Sequence, residues 1–180
     1  MAAATRIERE VKLGGIIVFL IPNSKYGKKL NEIVASSSRN SEGLCYVSLN
    51  KPYDTLMPMF RSIGVDVKKM VFIDCIKYGF GNADGGMKVV FVSSPKALTE
   101  MDIAIKKVLD GEKVSVLVFD SLSTLLVYDE PSTVIKFSHS IISKLRAAGV
   151  GGVFLCLSGD VKSELIKDLS MFADRIVEVR

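Results

Sequence analysis

Seven short apolar runs divide the chain and predict strands. Most of them are continuously apolar and rich in Val, Ile and Phe, with little alternation between apolar and polar positions. Such runs are typical of strands that are covered on both faces, as in a parallel sheet. The predicted strands span residues 15–21, 44–49, 70–76, 88–92, 114–120, 152–157 and 175–179.

Helical patterns lie between these runs, at residues 26–37, 53–63, 96–110, 132–148 and 160–169. In the third of them, apolar residues recur at intervals of three and four, which is the spacing of one helix face. Gly149 is positioned to end the fourth helix and Asp160 to cap the start of the fifth. The alternation predicts an α/β fold with helices on both faces of a mostly parallel sheet. The glycine-rich segment 78–86 is predicted to be a flexible loop.

Length and composition favour one domain, with a charged segment at 1–12 and a core at about 14–179. The chain has 180 residues, of which 48% are hydrophobic. No apolar run reaches the ~18 residues that span a membrane, and the charged N-terminus is unlike a signal peptide. A cytoplasmic protein without a membrane partner is expected. The net charge of +4 is dispersed along the sequence, so a nucleic-acid partner is not expected.

The cysteines and the single histidine do not predict a metal site. Cys45, Cys75 and Cys156 each lie in an apolar run, and no pair has the spacing of metal ligands. They are interpreted as small buried hydrophobic residues. His139 has no cysteine or carboxylate at helical spacing, so we expect a residue on a helix face without a catalytic role.

Residues 22–29, Pro-Asn-Ser-Lys-Tyr-Gly-Lys-Lys, follow the first predicted strand and precede the first long helix. A phosphate-binding loop occupies this position in P-loop folds, with the pattern Gly, four residues, Gly-Lys and then Ser or Thr. Gly27 and Lys28 match that pattern, whereas Pro22 and Lys29 replace the first Gly and the hydroxyl residue. The lysines either attract an anion at the helix start or form a solvated helix end.

Asp120 ends the fifth apolar run and is followed by Ser121. An Asp at this point can order magnesium in P-loop enzymes, or it can cap the turn after a parallel strand. Asp74 also ends a predicted strand, so the two carboxylates are expected at the same rim of the sheet. The candidate nucleotide- or anion-binding residues are Asn23, Ser24, Lys25, Tyr26, Gly27, Lys28, Lys29 and Asp120.

The chain resembles the RecA-like P-loop ATPases and, within them, the archaeal KaiC-related proteins. The order of several segments carries the resemblance, which covers about residues 14–179. These segments are 22–29, 45–53, 64–74, 94–100 and 118–126. The resemblance implies a RecA-like three-layer sandwich.

Matched to this family residue by residue, the chain has lost most of the ATPase machinery. The magnesium-binding hydroxyl falls on Lys29, and the activating glutamate falls on Asn50 or Lys51. Pro22 and Lys25 replace glycines of the loop, whereas the lysine and the magnesium-ordering aspartate are retained as Lys28 and Asp120. The resemblance therefore implies degenerate motifs, no catalytic residue, no metal and no required cofactor, and ATP binding without useful hydrolysis stays open.

Three functions are compatible with this sequence. The favoured one is a non-hydrolysing RecA/KaiC-like module that acts in regulation or protein association, as a homo-oligomer or with a protein partner. The second is a nucleotide-binding ATPase with an atypical P-loop. The third is a DNA-associated accessory protein, which the dispersed charge disfavours.

Overall fold

The structure is a computed structural model that describes residues 5–77, 88–160 and 163–179. Within these residues the strands are β1 (Ile16–Ile21), β2 (Leu44–Ser48), β3 (Met70–Asp74), β4 (Lys88–Phe91), β5 (Val116–Asp120), β6 (Gly151–Leu157) and β7 (Arg175–Glu178). They form one seven-stranded sheet in the order β4-β3-β2-β5-β6-β1-β7. Every neighbouring pair of strands is parallel.

Helices cover both faces of this sheet. They are α1 (Arg6–Leu13), α2 (Tyr26–Arg39), α3 (Tyr53–Ser62), α4 (Leu98–Gly111), α5 (Leu122–Tyr128), α6 (Pro131–Ala148) and α7 (Glu164–Phe172). One core cluster joins the sheet to α1, α2 and α3, and the other joins it to α4, α5, α6 and α7. The predicted α/β class, a RecA-like three-layer sandwich with a parallel central sheet, is confirmed.

Strand β1 shows why its sequence is apolar at every position. Ile17, Phe19 and Ile21 belong to the core on the α1–α3 face. Ile16, Val18 and Leu20 belong to the core on the opposite face. Successive side chains of a strand point to opposite faces, so a strand between two helical layers must be apolar throughout.

Gly149 ends α6, as predicted. Its φ of +67° lies in the left-handed region, and its amide N–H donates to the carbonyl groups of Leu145 and Arg146. Glycine adopts this conformation without the steric cost that a Cβ brings. The chain is thereby turned toward β6.

The predicted start of the last helix at Asp160 is wrong. Helix α7 begins at Glu164, and the Ser163 side chain caps it by accepting from the amide of Ile166. Asp160 instead accepts a hydrogen bond from the Ser123 hydroxyl at 2.5 Å. A carboxylate suited to capping is thus used to tie α5 to the segment after β6.

Two short helices were not predicted. Helix α1 lies within the charged N-terminal segment and buries Ile7 and Val11, which are one helical turn apart. Helix α5 has seven residues and follows β5 directly. The predicted loop at 78–86 lies outside the described residues. In the part of the chain that the structure describes, no helix has the length and apolar character to cross a bilayer.

Candidate functional site

The segments that follow β1, β2 and β5 meet at one edge of the sheet. All strands are parallel, so their carboxyl ends lie together, which is where α/β sheets usually bind ligands. The register places Ser48, at the end of β2, beside Asp74 of β3 on one side and Asp120 of β5 on the other. The two aspartates therefore share this edge, as expected, with one strand between them.

Residues 22–29 form a tight turn that leads directly into α2. Asn23–Lys25 make one turn of 3-10 helix, and the Lys25 amide donates to the Pro22 carbonyl at 2.9 Å. Tyr26 is the first residue of α2, which has no side-chain cap. The predicted loop residues are thus divided between a compact turn and the first turn of a helix.

Asp120 is the centre of a buried hydrogen-bond network and is 2% exposed. The Tyr26 hydroxyl donates to its Oδ1. The Tyr46 hydroxyl donates to Oδ2 at 2.6 Å, and the Asn50 amide donates to Oδ1 at 3.0 Å. A carboxylate has about four lone-pair sites, so three side-chain donors fill most of its capacity.

Tyr46 reaches Asp120 because the strands β2 and β5 are neighbours. Tyr46 lies opposite Val118, two residues before Asp120. Its ring is fully buried against Phe60 and Phe72, with ring centroids 5.1 and 5.5 Å away. A buried tyrosine requires a partner for its hydroxyl, and Asp120 provides it.

The turn after β2 positions Asn50. The Ser48 hydroxyl donates to the Lys51 carbonyl at 2.5 Å and fixes this turn. The Asn50 side-chain oxygen then accepts from the Thr124 hydroxyl at 2.6 Å. Asn50 therefore links Asp120 to the first turn of α5.

Ser121 continues the chain from Asp120 into α5. The peptide bond between these two residues is cis. The Ser121 hydroxyl caps α5 by accepting from the Thr124 amide at 3.3 Å. The β5–α5 junction therefore holds Thr124 where it can reach Asn50.

Burial controls the protonation of this network. It raises the pKa of Asp120, and the hydrogen bonds from Tyr26, Tyr46 and Asn50 and the charge of Lys51 oppose that rise. Burial, followed by the charge of Asp120, also raises the pKa of Tyr26 and of Tyr46. Both phenols consequently stay protonated and act as donors at neutral pH.

The residues at this edge do not fit a magnesium ion of the kind that P-loop ATPases bind. Magnesium is usually held by one or two carboxylates with further oxygen ligands. The oxygens of Asp120 already accept from three donors. The hydroxyl position is Lys29, whose ammonium lies 3.0 Å from the Glu32 carboxylate. Among the described residues, no group of three His, Cys, Asp or Glu side chains is arranged for a metal.

The structure brings together only some of the predicted candidates. Tyr26 meets Asp120, and Asn23 and Gly27 line the cleft beside them. Ser24, Lys25 and Lys28 are exposed at the turn and the start of α2. Lys29 points instead along its own helix to Glu32.

Tyr46 is a member of the Asp120 network that the sequence pattern did not indicate. Its hydroxyl is a polar atom within an otherwise apolar run, and such an atom needs a buried partner. That was the available signal. The identity of the partner depends on the pairing of β2 with β5, which the sequence pattern does not give.

Asp74 has a different environment, although it is also fully buried. Its Oδ2 accepts from the backbone amide of Tyr53 at 2.8 Å. Its Oδ1 accepts from the amides of Ile76 and Lys77 at 2.8 and 3.0 Å. Asp74 therefore fixes the start of α3 and the segment after β3.

His139 has a carboxylate partner from another helix. Its Nε2 lies 2.5 Å from Oδ2 of Asp168 in α7, and its ring packs on Phe172 with centroids 3.9 Å apart. The pair joins α6 to α7. The prediction that His139 has no catalytic role stays a prediction.

A family model matches the C-terminal part of the chain. No curated protein matches the chain. A family described as of unknown function, DUF7504, matches residues 73–179, which include Asp74, Asp120 and α5 but exclude Tyr26 and Tyr46. Because the match covers more than half of the chain, the chain belongs to the DUF7504 family.

Proposed function

We propose that this chain is a non-hydrolysing RecA/KaiC-like module that acts in regulation or protein association. One observation carries the proposal. Asp120, the residue matched to the magnesium-ordering aspartate, already accepts hydrogen bonds from Tyr26, Tyr46 and Asn50. A carboxylate in this state is a structural acceptor. The proposal includes a cytoplasmic location and a protein partner or second copy.

The chemistry of phosphoryl transfer supports this proposal. The reaction depends on metal, positioning and charge stabilisation acting together. The position matched to the activating glutamate is Asn50 or Lys51, and neither residue carries a carboxylate that could serve as the base. A general base alone typically contributes ~10²–10⁴-fold. Loss of the base and occupation of the metal-ordering carboxylate each oppose useful hydrolysis.

Exposed apolar side chains support association. Val127, at the end of α5 beside the Asp120 edge, is 77% exposed, and its neighbour Tyr128 is 40% exposed. Large apolar groups that project into water near a site are frequent in protein interfaces. This edge is therefore the proposed contact surface.

One observation favours the second candidate, a nucleotide-binding ATPase with an atypical loop. Lys28 is exposed in the first turn of α2, where the helix dipole also attracts anions. Among the described residues, no carboxylate lies within 4 Å of its ammonium. An anion can therefore approach this lysine.

A phosphate-release assay with Mg-ATP separates the two candidates. We expect the purified chain to release no phosphate above the rate of buffer, and Lys28→Ala to behave identically. Turnover that depends on Lys28 would support the ATPase and overturn the proposal.

Sedimentation velocity over a range of concentrations tests association. We expect either self-association or a stable monomer that requires a different protein as partner. For self-association, Val127→Asp should shift the distribution toward the monomer. Ile103→Asp, an exposed apolar position on α4, is the matched control and should not. An equal effect of both variants would contradict the proposed surface.

A further inference from the structure

A cleft of about 370 Å³ opens beside the Asp120 network and is not filled by it. It lies between the start of α2, the turn after β2 and α5. Its apolar wall consists of Leu30, Met59, Val127 and Leu157, together with Tyr26. Small-molecule sites typically have volumes of about 300–1,000 Å³ and mostly apolar walls, so this cleft has the size for a small ligand.

The polar side of the cleft offers one cation. Asn50, Thr124 and Asp120 line the cleft but are already engaged, because Asn50 and Thr124 bond to each other and Asp120 accepts from three side chains. Lys51 also lines it, and in the described part of the chain no carboxylate lies within 4 Å of its ammonium. The Lys51 charge acts on Asp120 and opposes the rise of its pKa, so this charge lies near the cleft.

The start of α2 leaves room at the cleft. A Cβ placed on Gly27 meets no atom within 4 Å, and Gly27 lines the cleft. A side chain added at this position of the cleft lining therefore meets no clash. This position supplies a variant that adds bulk to the lining of the cleft and also favours the helix.

We propose that the cleft binds a small amphipathic monocarboxylate, whose apolar body contacts Leu30, Met59 and Val127 and whose carboxylate faces Lys51. The single cation matches a single negative charge, and the apolar wall matches a short hydrocarbon chain. The inference rests on the proposed function, because a chain that hydrolyses Mg-ATP here would need Asp120 and the cleft beside it for the nucleotide.

Isothermal titration calorimetry with butyrate, hexanoate and octanoate tests the proposal. We expect one saturable site, with affinity rising about fourfold for each buried methylene, since such a group contributes about 0.8 kcal/mol. 1-Octanol has nearly the same body without the charge and should bind up to about fivefold more weakly, the usual range of an exposed ion pair. No saturable binding, or no dependence on chain length, would overturn the proposal.

Variants locate the site. Lys51→Met should remove the preference for octanoate over 1-octanol, and Gly27→Leu should abolish binding of both. Lys107→Met changes an exposed lysine of α4, outside the cleft, and should leave octanoate binding unchanged. If octanoate binds equally to Lys51→Met and Gly27→Leu, and both variants retain the wild-type circular dichroism spectrum, the cleft is not the site.

The phosphate-release assay separates this inference from the proposed function. If octanoate gives no heat of binding and Mg-ATP gives no phosphate, the ligand inference fails and the non-hydrolysing module stands. If octanoate binds as expected and the chain releases phosphate in a Lys28-dependent manner, the cleft is a ligand site and the proposed function fails.

Discussion

Asp74 and Asp120 flank β2 at the same edge of the sheet, and both are buried, but they have different partners. Three backbone amides donate to Asp74, whereas three side chains donate to Asp120. Backbone donors are present whatever the sequence. Side-chain donors are specified residue by residue, so the Asp120 network depends on the identities of Tyr26, Tyr46 and Asn50. Whether a buried carboxylate belongs to a specific site is therefore better judged from the source of its hydrogen-bond donors, backbone or side chain, than from its burial.

The largest effect is expected at Asp74. Asp74→Ala leaves the part-buried amides of Tyr53, Ile76 and Lys77 without their acceptor, and each unsatisfied group costs about 1 kcal/mol, the low end of the range for buried groups. The free energy of unfolding should fall by at least about 3 kcal/mol in urea titrations. A loss below about 1 kcal/mol would show that water can reach these amides and would remove the contrast between the two aspartates.

Tyr46→Phe should have the next largest effect. The ring stays packed on Phe60 and Phe72, but Oδ2 of Asp120 loses its buried donor. We expect a loss of about 2 kcal/mol in the free energy of unfolding. Thermal or urea unfolding measures it, and Tyr128→Phe, at a half-exposed position, is the control, expected within about 0.5 kcal/mol of wild type.

Tyr26→Phe removes a donor nearer to solvent. Water at the cleft can replace part of the lost hydrogen bond, so a loss of about 1 kcal/mol is expected. The relative size of the two losses in the free energy of unfolding is a sharper test than either value alone. If Tyr26→Phe destabilised the protein more than Tyr46→Phe, the assignment of the more buried contact to Tyr46 would be wrong.

Asp120→Asn should change the free energy of unfolding least at neutral pH. The variant loses one hydrogen-bond acceptor, which destabilises the fold, but it also no longer buries a charge, which stabilises it. Its pH dependence is informative. Burial raises the pKa of Asp120 in the folded state. Its contribution to the free energy of unfolding is therefore fully present below the unfolded-state pKa of about 3.9, and it is lost as pH rises through the folded-state pKa.

The free energy of unfolding of the wild type, minus that of Asp120→Asn, should therefore decrease as pH rises from about 4 toward 8. Urea titrations across this range, in constant salt, provide the measurement. A difference that increases with pH would mean that the donors lower the pKa of Asp120 more than burial raises it.

The fold was predictable because each strand is covered on both faces. The predicted strands agree with the structure to within two residues, since continuous apolar runs mark such strands. Helices α1 and α5 have eight and seven residues, too short for their periodicity to be distinctive, and tertiary packing stabilises them.

The site was predictable only in part. Asp120 was expected at the carboxyl edge because it ends a buried strand. Its donors Tyr26, Tyr46 and Asn50 come from a helix, a strand and a turn, separated from it by 94, 74 and 70 positions. Only the pairing of β2 with β5 and the path of α2 bring them together. The partner of His139 was missed for the same reason, since Asp168 lies on a different helix.

The effect of Mg-ATP on stability tests the central claim, that Tyr26, Tyr46 and Asn50 occupy the carboxylate that would order magnesium. Urea unfolding is measured with and without saturating Mg-ATP. We expect the same free energy of unfolding in both conditions. A gain near 2.7 kcal/mol, as expected for ligand at about 100 times its dissociation constant, that disappears in Lys28→Ala and Asp120→Ala would contradict it.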